Sequence, residues 1–141
     1  MQPLVALVGV FALLILPPGW WTALRIALAV MFLLTASAHW GKRRSDLIRM
    51  VPASFSHPDL LVTITGACEI AGAVGLLRPD LAPKVAIALG VLLIAIFPAN
   101  IRAACERITI DGRAPTSLPV RAAIQVIFLL AVIGVVIGAR R

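Results

Sequence analysis

The 141-residue chain is 61% apolar and only 13% charged, carries a formal charge of +7, and has no tyrosine. Soluble domains run about 45–50% apolar, and a soluble fold of this size buries only about two-thirds of what its unfolded chain exposes. Composition therefore excludes an ordinary water-soluble domain, and the length allows one domain with no separate globular module.

Five apolar blocks follow along the chain: Pro3–Leu16, Trp21–Ala38, Leu60–Leu77, Pro83–Ile101 and Leu118–Gly138. A membrane-spanning helix needs about 20 mostly apolar residues, with about 17 as the lower limit. The second, third and fifth blocks satisfy this outright. The fourth does so with Pro83–Lys84 as its start and Asn100–Ile101 as its end. The first block reaches about 21 Å at about 1.5 Å per residue, short of a hydrocarbon core about 30 Å thick. No Lys or Arg precedes it, and Leu14-Ile15-Leu16-Pro17-Pro18 is not a small-residue cleavage site. It therefore reads as a short helix that also spans, tilted or in a thin membrane, and not as a signal peptide. Pro17-Pro18-Gly19 breaks it from the next block, and Trp20 and Trp21 follow where interfacial anchors belong. The expected fold is all-α: an integral membrane bundle with an antiparallel four-helix core plus an N-terminal hydrophobic helix.

Charge sets the expected orientation. Lys42, Arg43, Arg44 and Arg49 follow the second block, and Arg102, Arg107, Arg113 and Arg121 flank the gap before the fifth. The other side has Arg78, Lys84, Arg140 and Arg141, with Arg25 nearby. Short loops rich in Lys and Arg stay in the cytoplasm. This places both long loops and the N-terminus inside a bacterial cytoplasmic membrane and the C-terminus outside. The basic residues sit at helix ends, where anionic lipid headgroups account for them, so nucleic acid is not an expected partner.

Polar residues inside apolar blocks are the candidate site. Glu69 is the one acid in the middle of a span, and such groups normally face a partner or a water-filled cavity. Arg25 lies near the same end of its own block, so an Arg25–Glu69 pair is the first expectation. A ligand-binding or proton-accepting carboxylate, and a Glu kept neutral by desolvation, are the alternatives. His39 ends the second block, Asn100 ends the fourth and Gln125 lies two turns into the fifth; together they could line a polar pocket on the loop side, or simply bond to neighbouring helices. Pro98 should kink or end its helix and free a carbonyl that Asn100 or a neighbour must satisfy. No metal-ligand spacing occurs around His39 or His57. Cys68 and Cys105 form no redox motif. Ala67, Ala71 and Gly75, and Cys68 and Gly72, form rows of small residues that let backbones approach; with Gly66 they predict close helix packing around Glu69.

The order of these segments resembles the DoxX family of small bacterial membrane proteins. Arg25-Ile26-Ala27-Leu28-Ala29 leading to Ala38-His39-Trp40 is similar to that family's first core helix, and Arg49-Met50-Val51-Pro52 with Ser56-His57-Pro58 to its proline-spaced loop. Thr65-Gly66-Ala67-Cys68-Glu69 through Leu77 looks like its Gly-x-x-Glu helix. Phe97-Pro98-Ala99-Asn100 and Leu118-Pro119-Val120-Arg121 with Gln125 complete the set. The likeness runs from about Trp21 to Val132, with Ala38 where Gly is common and Ser54-Phe55-Ser56 where a further Pro is common. It implies a non-catalytic membrane subunit of a quinone-linked or thiol-redox complex, with no intrinsic cofactor and a quinone-like molecule beside Arg25 and Glu69. A small proton-linked carrier using Glu69, and an enzyme acting on a lipid or quinone, are the other readings. Besides the lipid bilayer, the expected partners are a redox protein or a second copy of the chain.

Overall fold

The computed structural model describes residues 2–15 and 19–139, so Pro17 and Pro18 of the expected break and the basic pair Arg140-Arg141 lie outside the described residues. Six helices follow in order: α1 (Gln2–Leu14), α2 (Trp20–Ser37), α3 (Arg44–Met50), α4 (Pro58–Leu77), α5 (Ala82–Cys105) and α6 (Leu118–Gly138). Four of them, α2, α4, α5 and α6, are long and apolar enough to cross a membrane. The chain is a multi-pass helical membrane protein. At 13 residues, α1 is about 20 Å long by its rise and does not reach spanning length.

Local chemistry sets the helix starts. Prolines stand in the first turns of α4, α5 and α6 (Pro58, Pro83 and Pro119), where the missing N–H would have no partner anyway and the fixed φ already suits a helix. Gly19, at φ 81, makes the turn into α2 that other residues resist. Helix α5 runs through Pro98 and continues to Cys105, beyond the expected end at Ile101.

The core is built around α2. Its span is 44% buried inside the bundle against 17% for α6, so α2 is the central helix and α6 mostly faces outward. Ala27, Leu28, Met31 and Phe32 of α2 share one buried cluster with Leu76 of α4, Leu89 of α5 and Val135 of α6. Helix α1 packs along α2 and inserts Leu7 into the same core. Outward-facing Val74, Val91, Ile94, Leu130 and Ile137 stay open. In water such a surface would aggregate; in lipid it costs nothing.

Glycines set the closest approaches. A Cβ on Gly66 would come within 2.7 Å of the His39 Cβ and Cγ atoms, and one on Gly75 within 2.8 Å of Val85 Cγ2. Gly72 lies equally tight against Leu89. These positions bring α4 against the end of α2 on one side and against α5 on the other.

Two elements carry no apolar block and escape the block reading. Helix α3 is short and amphipathic, with Asp46 in its first turn and Arg49 in its last, as the helix dipole prefers. Residues Ile110 and Arg113 exchange backbone hydrogen bonds of 3.0 and 3.1 Å around Asp111-Gly112, whose φ angles are 55 and 70. That is a two-residue hairpin turn, for which Asp-Gly is among the strongest local signals.

Candidate functional site

The long connections 38–57 and 106–117 meet at one end of the bundle and are tied together. Asp46 accepts from Arg49 Nη2 at 2.5 Å through one oxygen and from the Asp111 backbone N–H at 2.8 Å through the other. Arg49 also donates to the Thr109 carbonyl at 3.2 Å, and Arg102 donates to the Val51 carbonyl. The Asp111 N–H, followed by Arg49, holds the Asp46 carboxyl below its ordinary value. Farther in, Arg44 donates to the His39 carbonyl at 2.8 Å and to the Thr63 hydroxyl at 2.9 Å. These bonds make the loop end a fixed platform.

Just beneath it, Glu69 sits 3% exposed in the α2–α4 interface. Its Oε2 lies 2.7 Å from the Thr35 hydroxyl and its Oε1 lies 3.6 Å from His39 Nε2. His39 Nδ1 is 2.6 Å from the Val62 carbonyl oxygen, which can only accept, so Nδ1 carries a hydrogen. The facing Nε2 is then either an N–H opposite a carboxylate or a bare nitrogen opposite a neutral acid. The Thr35 hydroxyl is also 2.9 Å from the Phe32 carbonyl. It can donate to an ionised Glu69, or accept from a protonated one while donating to Phe32, so it serves either state.

Arg25 does not join this cluster. Its Nη1 donates to the Leu76 carbonyl at 3.2 Å, its Cζ lies 4.3 Å from the Trp21 ring centroid, and its buried Nε has no hydrogen-bond partner. The expected Arg25–Glu69 pair is therefore corrected to Thr35–Glu69–His39. The reason is depth. Arg25 is level with Leu76, which is seven residues and about 10 Å of helix beyond Glu69. Counting from block ends puts the two about 6 Å apart in depth, within reach of long side chains, because it ignores how far the end of α4 reaches along α2. Thr35, which nothing in the sequence pattern singles out, lies ten residues and about 15 Å further down α2 than Arg25, at the depth of the acid.

The other polar candidates also part company. Asn100 Oδ1 accepts from Arg121 at 2.7 Å, and Gln125 Nε2 donates to the Leu93 carbonyl at 2.7 Å. Pro98 cannot donate to the Ile94 carbonyl; the bond from Gln125 falls one residue earlier on the same turn, and Asn100 takes no part in it. His39, Asn100 and Gln125 thus serve three separate contacts. Gln125 instead borders an apolar groove of about 380 Å³ between α5 and α6. A second cleft, of about 510 Å³, opens on the platform between α3, its following loop and the end of α5. Neither is lined by Glu69. Cys68 and Cys105 are both free and exposed.

The bundle and its polar ties define a four-span helical membrane protein with one structured end. The chain belongs to the family described as a domain of unknown function, DUF8561, whose match covers residues 28–136. That stretch holds the Glu69 cluster and the platform and leaves out α1 and Arg25. Comparison with curated proteins and with solved structures finds no match.

Proposed function

We propose that the chain is a DoxX-like membrane subunit with no catalysis of its own. In this reading it anchors a quinone-linked or thiol-redox, stress-response complex in a bacterial cytoplasmic membrane, with both basic loops in the cytoplasm and the C-terminus outside. The observation that carries the reading is the platform. Two loops far apart in sequence are held to each other by Asp46, Arg49 and Arg102, which gives a fixed surface beyond the membrane where binding residues can be presented. Lys42 and Arg113 are exposed on these loops. The resemblance to DoxX supplies the redox class. The test is affinity purification in mild detergent with mass spectrometry of what co-purifies. A stoichiometric redox protein is expected, lost when Lys42→Glu and Arg113→Glu reverse the exposed charge without touching the ties. Purification with lipid alone, from the wild-type chain in its native membrane, refutes the reading.

The Glu69–His39 pair favours a second reading, in which the chain is a small proton-linked transporter or a quinone- or lipid-binding protein that uses Glu69. A carboxylate buried within a span beside a histidine is the kind of group such a protein uses. Proton uptake by vesicles carrying the purified chain, abolished by Glu69→Gln, is its signature.

A further inference from the structure

We infer that the platform cleft is a binding site for a phosphate group carried on an apolar chain, an anionic lipid headgroup at the membrane border. The cleft holds about 510 Å³, within the range of small-molecule sites. It lies at the headgroup level of the bundle, because its walls include Pro58, the first residue of α4, and Arg102 in the last turn of α5. Three guanidinium groups, from Arg49, Arg102 and Arg107, line it beside the apolar surfaces of Phe55 and Ile108. Guanidinium is the side chain best matched to phosphate oxygens.

The donors are unequally committed. Arg49 spends Nη2 on Asp46 and Thr109, and Arg102 spends Nη1 on Val51 and Nε on Glu106, whose carboxylate it neutralises at 2.9 Å. Each guanidinium carries five N–H groups, so both keep donors in reserve. Arg107 makes no side-chain hydrogen bond or ion pair to the described residues. Its backbone is also in the left-handed region, at φ 52, just past the end of α5. The Ile108 N–H reaches back to the Ala103 carbonyl at 3.0 Å, which closes the helix in the way that normally favours glycine at this position. The chain therefore holds an arginine with no protein partner where glycine would be less strained, and it holds it on the wall of a basic, half-apolar cleft.

That combination gives a clean test, since Arg107→Gly relieves the backbone while removing the side chain. The full-length protein in dodecyl maltoside is titrated with dioleoyl phosphatidic acid, dioleoyl phosphatidylcholine and inorganic phosphate, and followed by native mass spectrometry and thermal melting. One phosphatidic acid is expected to bind at least tenfold more tightly than phosphatidylcholine. Equal concentrations of inorganic phosphate should not displace it. Arg107→Gly should weaken it at least tenfold with an unchanged or higher melting point, and Arg107→Lys should keep part of the affinity. Equal retention of the two lipids, or wild-type affinity in Arg107→Gly, overturns the site. Displacement by inorganic phosphate at matched concentration overturns the lipid and makes the ligand a free phosphate. None of these outcomes depends on whether a redox partner exists.

Discussion

Replacing Glu69 by leucine removes the group on which Thr35 and His39 converge. Thr35 loses little, because its hydroxyl can turn to the Phe32 carbonyl 2.9 Å away. His39 loses more. Its Nδ1 stays committed to Val62, so Nε2 is left buried with no partner. Breaking a buried ion pair by deleting one member costs about 3–5 kcal/mol, but a histidine can shed its proton, which brings the cost toward that of one unsatisfied polar group, about 1–3 kcal/mol. We expect a loss of about 2–3 kcal/mol for Glu69→Leu. At about 2–4 °C per kcal/mol for chains near this size, the melting point in detergent should fall by roughly 5–10 °C. Glu69→Gln keeps the shape and a donor–acceptor pair facing Thr35 and His39, so it should cost less than about 1 kcal/mol. The discriminating measurement is a double-mutant cycle read by thermal melts. Glu69→Leu and His39→Leu should be non-additive by at least about 0.5 kcal/mol, as contacting residues are, whereas Glu69→Leu and Arg25→Leu should add to within about 0.5 kcal/mol. A wild-type melting point in Glu69→Leu, or coupling to Arg25 in place of His39, refutes the assignment.

The platform should loosen in acid. The Asp46 carboxyl is held below its ordinary value by the Asp111 N–H and Arg49, so its contribution is complete above about pH 4, the unfolded aspartate range, and is lost as pH falls through the lower folded value. Hydrogen exchange at Asp111 should rise over that descent in the wild type and already be fast at neutral pH in Asp46→Asn. Gly66→Ala should destabilise by about 1–3 kcal/mol, because its Cβ would fall within 2.7 Å of His39 Cβ and Cγ, atoms too close to the backbone to swing aside; a melting point equal to wild type refutes the close approach. Gly9→Ala meets nothing within 4 Å and should stabilise α1 by about 0.5–1 kcal/mol, read by the same melts. Gln125→Leu should cost about 0.6 kcal/mol, the average for an interhelical hydrogen bond in a membrane bundle, since the Leu93 carbonyl then relies on its helical bond alone.

The spans were legible because lipid demands long apolar runs, and such runs stand out in sequence whatever packs against them. Helix α6 has the bounds of its block, Leu118–Gly138. Helix α3 and the Asp111-Gly112 turn were not legible by that route. They lie outside lipid and answer to local rules, a dipole-matched Asp46 and Arg49 in one case and a two-residue Asp-Gly turn in the other. The site was legible by residue and illegible by pairing. Glu69 stands out as an acid in the middle of an apolar block and His39 as a polar group at the end of one, but which polar group meets which depends on the axial register between antiparallel helices. A shift of seven residues, about 10 Å, would bring Arg25 level with Glu69, and no composition rule fixes it. The register is set instead by close contacts such as Gly66 against His39 and Gly75 against Val85.

That register has a further consequence for where function can reside. Thr35, His39, Glu69, Asn100, Arg121 and Gln125 all make their polar contacts in the loop-side half of the bundle, directly below the tied platform. The opposite half is held by small residues and by Trp21, whose Nε1 donates to the Val135 carbonyl at 2.8 Å beside the Arg25 guanidinium. Interhelical hydrogen bonds fix geometry in a medium that gives helices no hydrophobic reason to associate. The loop-side half is consequently the part whose shape is most tightly specified, and the Glu69–His39 pair lies beneath the surface proposed to meet a partner. A change in the charge of that pair would act on His39, whose own carbonyl is held by Arg44, and so on the first residues of the platform. Any coupling between the membrane interior and the loop surface must run through this segment, Thr35 to Arg44, and not through the far end of the bundle.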